Sequence, residues 1–485
     1  MTRAYIHLNN FRRNIALLQK RSGGKPLCLA VKASAYGHGA VRIVREAEKM
    51  GVGCFGVSRI SEAAELRNAG ISSRILLFTI SSPGEFRELW HYRIEPFVVD
   101  LAHFRRLAET LKTFTAPRAP NARNDPNDPS IRNDPSTSAD RANPSTSADR
   151  ANPSTSAARA NPSILSTRTA LSTRTALSTP SALSTSAPLN AEEALHVHIK
   201  TDTGMGRIGC PPSEVRELAE AIHTHPAFIL AGIATHYPLA DNASDTLCGE
   251  QTALLKKLRK ELKAAGINTA IHAANSGGIL YHADDDLDLI RPGIAAYGYP
   301  PNGLAAAPAP PASQLGEGFK PVMELRAEVS FVKKVAAGTP ISYGHTWTSE
   351  RECWIATINA GYADGYSRRL SNKVSVLIDG RVCPQVGAIC MDQCMVNLGS
   401  SPGRALGSEA ILFGPDPRSE SAASLARISG TISYEITCGI SSRVERVYID
   451  ADADTPTTIA APDAAAPHQA AAGLPPAAPP AGDER

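Results

Sequence analysis

The sequence has few aromatic residues, no long apolar run and almost no net charge. Phe, Trp and Tyr make up 5% of the 485 residues, and no apolar stretch reaches the ~18–20 residues that cross a bilayer. The 50 Lys and Arg nearly balance the 47 Asp and Glu, which argues against a protein specialised for binding nucleic acid. We therefore expect a globular protein with neither a nucleic-acid nor a membrane partner.

The cysteines lack the pattern of a disulfide framework or of a metal site. There are nine of them, an odd number, and none forms a CxxC pair, which favours reduced thiols. Cys390 and Cys394 form CxxxC without a neighbouring His cluster, so we expect no metal. The N-terminal MTRAYIHLNNFRRNI has no apolar core of a secretory signal. These features predict a cytoplasmic protein.

One internal segment lacks the residues that a folded core needs. Residues 115–190 contain no Gly, no aromatic residue and no Lys, and they repeat a nine-residue unit related to PSTSADRAN. Solenoid repeats stack a continuous core only with longer units, usually ~20–50 residues. We predict that 115–190 form a disordered insertion and that the Ala/Pro-rich tail at 451–485 is disordered too.

Short β-prone runs alternate with helix-like stretches over residues 1–318. The runs are 27–32, 54–57, 74–78, 95–99, 196–200, 229–235, 270–274 and 287–290, and helices are predicted at 40–49, 60–68, 101–111, 212–223 and 252–265. Eight strands alternating with helices are typical of a (β/α)8 TIM-like barrel. The sequence therefore predicts an α/β fold whose barrel domain at 1–318 is interrupted by the insertion.

The pattern changes between residues 319 and 450. Segments such as MELRAEVSFVKKV and KVSVLIDGRV are strand-like, with Gly turns and few helical stretches. We predict a second, mostly β domain there. The insertion lies between the fourth helix and the fifth strand, which in a barrel is the face opposite the catalytic loops. We therefore expect the site to be independent of it.

Reactive residues stand at the predicted C-terminal ends of barrel strands, where barrel enzymes carry their sites. In chain order they are Lys32, Lys200, His236, Asn275, Ser276, Arg291, Gly293 and Ile294. The hydroxyl after strand seven and the Gly turn after strand eight match the usual phosphate site of such barrels. The lysine after the first strand is either a rim residue reaching solvent or an amine with a lowered pKa that forms a Schiff base.

The segment DTGMGRIG contains a GxGxxG pattern that we do not interpret as a nucleotide site. Its glycines are Gly204, Gly206 and Gly209. The dinucleotide fingerprint needs a helix that opens within the glycine turn. Here Cys-Pro-Pro follows at once, so the next helix begins later.

Nine motifs together resemble the alanine racemase family, bacterial enzymes that depend on pyridoxal 5'-phosphate (PLP). In chain order they are AVKASAYGHG, KTDTGMGRIG, THYPLAD, HAANS, IRPGIAAYG, ISYGHTW, NAGYADGYSRR, GAICMDQ and TISYEITCGISSRVERVY. The resemblance covers nearly all of the chain outside the insertion and the tail. It implies a barrel followed by a β domain, PLP as cofactor, and a head-to-tail homodimer with shared active sites.

The resemblance also implies a role for each matched residue around the cofactor. Lys32 would hold PLP through a Schiff base, Arg291 would bond its pyridine nitrogen, and His236 would stack against the ring and steer Arg291. Arg207, on the substrate side, would contact the phenolic oxygen and be oriented by Lys200, which in this family can be carbamylated. The residues around the phosphate would be Tyr36, Asn275, Ser276, Gly293, Ile294 and Tyr434.

Racemisation takes a proton from one face of the α-carbon and returns one to the other, so two bases are expected. By the resemblance, Lys32 would serve the D-isomer, and Tyr343 of the partner subunit would serve the L-isomer. A tyrosine, with an ordinary pKa near ~10, must be made more acidic for this role. Met391, also from the partner, would help bind the substrate carboxylate. The entrance would be lined by Tyr362, Arg368 and Asp392.

The implied activity is the interconversion of L- and D-alanine, supplying D-alanine for peptidoglycan. An arginine at the pyridine nitrogen cannot accept its proton, which weakens the cofactor as an electron sink and disfavours side reactions. A broad-specificity or serine racemase is an alternative on the same scaffold. So are a cofactor-carrying protein without catalysis and an interaction protein whose repeats are the functional part.

Overall fold

The N-terminal part of the chain folds into the predicted TIM-like barrel. The computed structural model describes residues 1–115, 194–282, 287–301 and 318–450, together with the backbone of 453–458. After β1 (Arg3–His7), seven parallel strands form one sheet in chain order. They are β2 (Cys28–Ala30), β3 (Cys54–Val57), β4 (Arg74–Leu77), β5 (Ile94–Val98), β6 (Leu195–Lys200), β7 (Phe228–Ala234) and β8 (Ala270–His272).

The eighth predicted strand is an extended segment that closes the sheet. Leu27 and Ile290 form a parallel bridge, and Cys28 N–H donates to the Ile290 carbonyl at 2.8 Å. On the other side, Asp288 N–H donates to Ile271 O at 3.0 Å. Residues 287–292 therefore join β8 to β2, because they hydrogen-bond to both.

Helices follow the strands wherever the sequence presents one apolar face. The helix Ala40–Lys49 buries Ala40, Ile43, Val44 and Ala47, the spacing that places side chains on one side of a helix. All five predicted helices are found, although that predicted at 252–265 begins earlier. The helices of this part are Leu8–Arg21, Ala40–Lys49, Ile60–Asn68, Phe86–His91, Leu101–Thr115, Val215–His223, Leu247–Ala264 and Ser276–Tyr281.

The second domain is built on a nine-stranded sheet. Its strand order is Cys353–Ile358, Cys394–Gly399, Arg381–Val386, Ser375–Ile378, Glu409–Phe413, Met323–Val335, Arg3–His7, Glu445–Asp450 and Ala453–Thr458. The strand Cys353–Ile358 also pairs with Met323–Val335, so the first six strands close on one another. The hairpin at Asp379-Gly380 has positive φ at both turn residues, 47° and 76°, as an Asp-Gly type I′ turn requires. A small hairpin pairs Pro340–Ile341 with Trp347–Thr348, and the helices Ala422–Ser429 and Ser433–Cys438 complete the domain.

Two terminal strands differ from the sequence prediction. β1 lies in the second sheet, parallel to Glu445–Asp450 and antiparallel to Met323–Val335, although it precedes the barrel in the chain. The tail predicted to be disordered from residue 451 begins with Ala453–Thr458, antiparallel to Glu445–Asp450. The edge of the strand Glu445–Asp450 presents backbone N–H and C=O groups, and the threonine-rich segment TPTT can pair with them.

The rest of the predicted insertion and tail lies outside the described residues, since only Thr115 of 115–190 is described, as the last residue of a helix. Among the described residues no helix is long and apolar enough to cross a membrane.

Candidate active site

A cavity of about 500 Å³ opens at the C-terminal ends of the barrel strands. Every strand end that the sequence singled out contributes to its wall. Ten predicted site residues line it, namely Lys32, Tyr36, Lys200, Arg207, His236, Asn275, Ser276, Arg291, Gly293 and Tyr434. The parallel strands bring the barrel residues together, and the helix Ser433–Cys438 of the second domain adds Tyr434.

Lys32 enters the cavity just after β2, at the start of a left-handed turn. Residues 33–36 all have φ between 52° and 56°, a conformation that costs non-glycine residues energy and clusters at functional sites. Glu62 holds the turn, because its carboxylate accepts Ala33 N–H at 2.6 Å and Ser58 N–H at 2.7 Å. Burial lowers the pKa of Lys32, and the positive charge of Arg207 lowers it further. More of the amine is therefore neutral and nucleophilic.

Hydroxyl groups and a glycine form one end of the cavity. Ser276 Oγ accepts Gly293 N–H at 2.9 Å, and the rings of Tyr36 and Tyr434 lie 5.8 Å apart. Burial raises the pKa of both phenols, so both stay protonated and can donate. A Cβ on Gly293 would lie 2.6 Å from Tyr36 Oη, which explains the glycine. This end suits an oxyanion such as a phosphate.

Two predicted residues support this end of the cavity from the side. Asn275 donates to Tyr237 O at 3.1 Å and accepts Gly278 N–H at 3.0 Å, so it caps the helix Ser276–Tyr281. Ile294 is fully buried at the start of a 3-10 turn. Its side chain does not line the cavity.

Arg291 is held by three hydrogen bonds beneath the cavity. One Nη2 hydrogen bond goes to Thr235 O at 2.6 Å and another to Ala273 O at 3.0 Å. Nη1 lies 2.7 Å from His272 Nδ1. The ring that reaches the guanidinium is His272, which projects from β8 into the barrel. His236, which we expected to steer Arg291, lies in the same cavity wall, and its role stays a prediction. Burial lowers the pKa of Arg291 to about 10, so it stays charged near neutral pH.

Two arginines, Arg207 and Arg291, carry positive charge around the middle of the cavity and disfavour further charge on Lys200 and His236. Burial lowers the pKa of Lys200 well below its ordinary value, with Arg291 and Arg207 lowering it further. Burial also lowers the pKa of His236, to about 2, and Arg291 adds to the effect. Lys200 Nζ lies 5.6 Å from the centre of the Phe97 ring. The arrangement favours an anionic occupant.

Apart from Tyr434, the predicted site residues of the second domain do not line this cavity in the single chain. They gather instead around segment 388–392. Tyr362 N–H donates to Cys390 O at 3.1 Å, Arg368 Nη1 to Ile389 O at 3.2 Å, and Arg443 to Asp392 at 2.8 Å. The side chains of Tyr343 and Met391 are exposed, by 69% and 53%.

Tyr343 sits on a turn whose shape is fixed by its neighbours. Ser342 and His345 have φ of 66° and 46°, and Ser342 Oγ donates to Ala388 O at 2.6 Å. Strain of this kind persists only where surrounding contacts impose it. The phenol is therefore presented outward by a preformed turn.

Sequence reasoning missed some residues of the cavity wall and the layer beneath it. Apolar and small residues complete the wall, namely Ala30, Ser58, Phe78, Thr79, Ile80, Phe97 and Ile208. Below Arg291 lie His272, His198 and Glu95, all buried. The sequence feature that could have identified them is a charged or polar residue within an otherwise apolar strand, as in IEPFV and HVHIK. The glycines of DTGMGRIG are in a loop, and the next helix begins at Val215, as predicted.

The fold and the cavity together indicate the class of enzyme to which the chain belongs. They combine a TIM-like barrel, a lysine-bearing cavity at its strand ends and a following β domain, the architecture expected of barrel-type amino-acid racemases. The model of the alanine racemase N-terminal domain matches residues 6–120 and 161–301, and that of the C-terminal domain matches 322–448. The chain belongs to the alanine racemase family.

Individual relatives agree with the family match. The alanine racemase of Treponema denticola is 35% identical over 458 residues, covering 93% of this chain and 98% of the relative. That of Chlorobaculum tepidum is 34% identical, covering 93% and 96%. Among solved structures, alanine racemase of Clostridium difficile 630 is 28% identical with a TM-score of 0.71, covering 94% of this chain and 98% of that one.

Proposed function

We propose that this chain is a PLP-dependent alanine racemase that interconverts L- and D-alanine and supplies D-alanine for peptidoglycan in the cytoplasm. The observation that carries the proposal is the environment of Lys32. Its amine has a lowered pKa and shares one cavity with Arg291 and with the hydroxyl groups of Tyr36, Ser276 and Tyr434.

The donor set of the cavity fits PLP. Tyr36, Ser276 and Tyr434 would hold the phosphate, and Gly293 leaves room for the Tyr36 hydroxyl, which a Cβ would displace. Arg291 would donate to the pyridine nitrogen and Arg207 to the phenolic oxygen, while Lys32 would bind the cofactor covalently. Bound PLP would delocalise the electron pair left when an amino acid loses its α-proton.

The protein's own groups would then move the proton. Lys32 would act as one of the two bases, a role that its lowered pKa favours. Arg291 stays charged and has no lone pair to accept a proton, so it would hold the pyridine nitrogen as a hydrogen-bond acceptor. The buried hydroxyls and Arg291 would hold the phosphate and the pyridine nitrogen of the cofactor.

The second base would be Tyr343 of a partner subunit in a head-to-tail homodimer. Its exposure on a preformed turn, away from the cavity of its own chain, supports this role. Met391, close to it in the same exposed region, would help bind the substrate carboxylate. Tyr362, Arg368 and Asp392 would line the entrance.

The test is racemisation of L-alanine by the purified, PLP-loaded protein. We expect D-alanine to accumulate, and we expect the Lys32→Ala variant to lose both turnover and the visible absorbance of the bound cofactor. The exposed Lys263→Ala variant controls for loss of a lysine elsewhere. Turnover of serine above that of alanine would replace alanine by the broader-specificity alternative, and full activity of Lys32→Ala would refute the site.

A further inference from the structure

A row of polar side chains, buried except for Arg74 at its end, crosses the barrel interior beneath Arg291. His272 Nε2 lies 3.0 Å from His198 Nδ1, and His198 Nε2 lies 2.9 Å from Glu95 Oε2. Glu95 also receives two hydrogen bonds from Arg74, at 2.7 and 2.8 Å. We call Arg291, His272, His198, Glu95 and Arg74 the barrel relay. It links four strands, β4, β5, β6 and β8, to the segment that closes the barrel.

The two ends of the barrel relay fix the direction of every hydrogen bond within it. Arginine can only donate, so His272 Nδ1 must accept from Arg291. The proton of a neutral His272 is then on Nε2, which donates to His198 Nδ1. His198 in turn carries its proton on Nε2 and donates to Glu95. An ionised carboxylate can only accept, so both imidazoles are neutral Nε2–H tautomers.

The charge states agree with this direction. Burial alone would raise the pKa of Glu95, but hydrogen bonds from Arg74 and His198 lower it to about 2. Burial lowers the pKa of His198 and His272. The carboxylate is therefore charged and the imidazoles neutral at physiological pH, and each bonded nitrogen of the two rings has a partner of the correct kind.

A single glycine allows the two histidines to meet. They project from β6 and β8, which are separated by β7, and the β7 residue paired with His198 is Gly232. A Cβ at Gly232 would lie 2.6 Å from His198 Nδ1 and 3.1 Å from His272 Nε2. Any side chain at this position would displace one imidazole from the other.

We propose that Glu95, His198 and His272 are positioning residues that hold the Arg291 guanidinium in register with the cofactor ring of the proposed racemase. Among the described residues no carboxylate contacts Arg291 directly, so Glu95 acts on it only through the two rings. Fixing Nη1 through His272, and Nη2 through the two carbonyls, leaves the guanidinium one orientation. The inference rests on the proposed function, since Arg291 touches the reacting group only if PLP binds as proposed.

Gly232→Ala tests the barrel relay without removing any of its members. We expect kcat to fall about 10- to 100-fold, as when outer partners that orient a ligand are lost, with KM little changed because no relay residue beyond Arg291 lines the cavity. Gly53→Ala, where the new methyl has nothing within 4 Å, is the matched control. His198→Leu should lower kcat similarly, and the double variant should lose little more, because both changes break one link.

The tautomers give a readout that does not depend on catalysis. Nitrogen-15 NMR of histidine-labelled protein, with and without PLP, should show His198 and His272 as neutral Nε2–H rings, and Gly232→Ala should change these signals. Nδ1–H tautomers or imidazolium rings in the unaltered protein would overturn the proposal. So would a Gly232→Ala protein with altered ring signals and kcat within twofold of normal. A chain that shows these tautomers but does not racemise alanine contradicts the proposed function and, with it, the relay's role in positioning, while the hydrogen-bond directions stand.

Discussion

Replacing Gly293 by alanine should displace Tyr36 from the oxyanion end of the cavity. The new Cβ would lie 2.6 Å from Tyr36 Oη, whereas real Cβ contacts stay beyond 3.0 Å, so the phenol must move by about 0.4 Å or more. The ring has little room, because it is buried against Tyr297 and Tyr434 at 4.8 and 5.8 Å. Overpacking of this kind costs about 1–3 kcal/mol of stability.

Displacement of Tyr36 in Gly293→Ala should also lower the affinity for the cofactor. A hydrogen bond to a charged group contributes about 1.5–3 kcal/mol, so PLP should bind roughly 10- to 100-fold more weakly. Titration of the cofactor-free protein with PLP measures the affinity, thermal unfolding measures the stability, and Gly53→Ala is the control.

A double variant separates the clash from other effects of the alanine. Tyr36→Phe removes the clashing oxygen and leaves the nearest ring atom 3.3 Å from the new Cβ. We therefore expect Tyr36→Phe/Gly293→Ala to regain stability relative to Gly293→Ala and to bind PLP about as Tyr36→Phe does. Normal PLP affinity in Gly293→Ala, or strictly additive losses in the double variant, would show that the new methyl group does not act by displacing the Tyr36 hydroxyl.

Three further predictions follow from the geometry. The pKa of Glu95 is lowered from 4.5 to about 2. Its ionisation therefore contributes roughly 3 kcal/mol to the free energy of unfolding above pH 4.5, and this contribution is lost as the pH falls toward 2. Glu95→Gln should be less stable in urea than the unaltered protein at neutral pH, with the difference shrinking over that range. Phe11 is fully buried against Tyr297, so Phe11→Ala should lower the free energy of unfolding by about 3–5 kcal/mol, and a loss below 1 kcal/mol would contradict this packing. Deleting residues 115–190 should preserve racemisation, because the described residues of the cavity wall all lie outside this segment. Lost activity with unchanged thermal stability would favour the repeats as a functional part.

Local pattern was sufficient for most of the barrel. Runs such as 54–57 and 74–78 are apolar and bounded by glycine or polar residues, and they became strands within one or two residues of the predicted ends. Strand ends also converge in a parallel barrel. Residues as distant as Lys32 and Arg291 could therefore be assigned to one cavity before its shape was known.

Features that depend on distant partners were beyond the sequence. RAYIH is a short alternating run whose partners, Met323–Val335 and Glu445–Asp450, are more than 300 residues away, so nothing local indicates its sheet. The barrel relay depends on which strand residues face inward and on the missing side chain at Gly232. The contact between His272 and Arg291 was missed for the same reason, since only the strand register reveals that the two side chains are neighbours.

In the proposed homodimer, the amine of Lys32 from one chain and the phenol of Tyr343 from the other act on one substrate. Lys32→Ala and Tyr343→Ala subunits, each inactive alone, can be mixed, and heterodimers isolated by two different affinity tags. A heterodimer has one cavity with both groups and one with neither, so we predict that it regains alanine racemisation. Isolated heterodimers that remain inactive, or a Tyr343→Ala protein that is fully active alone, would show that Lys32 and Tyr343 of two chains do not act at one shared site.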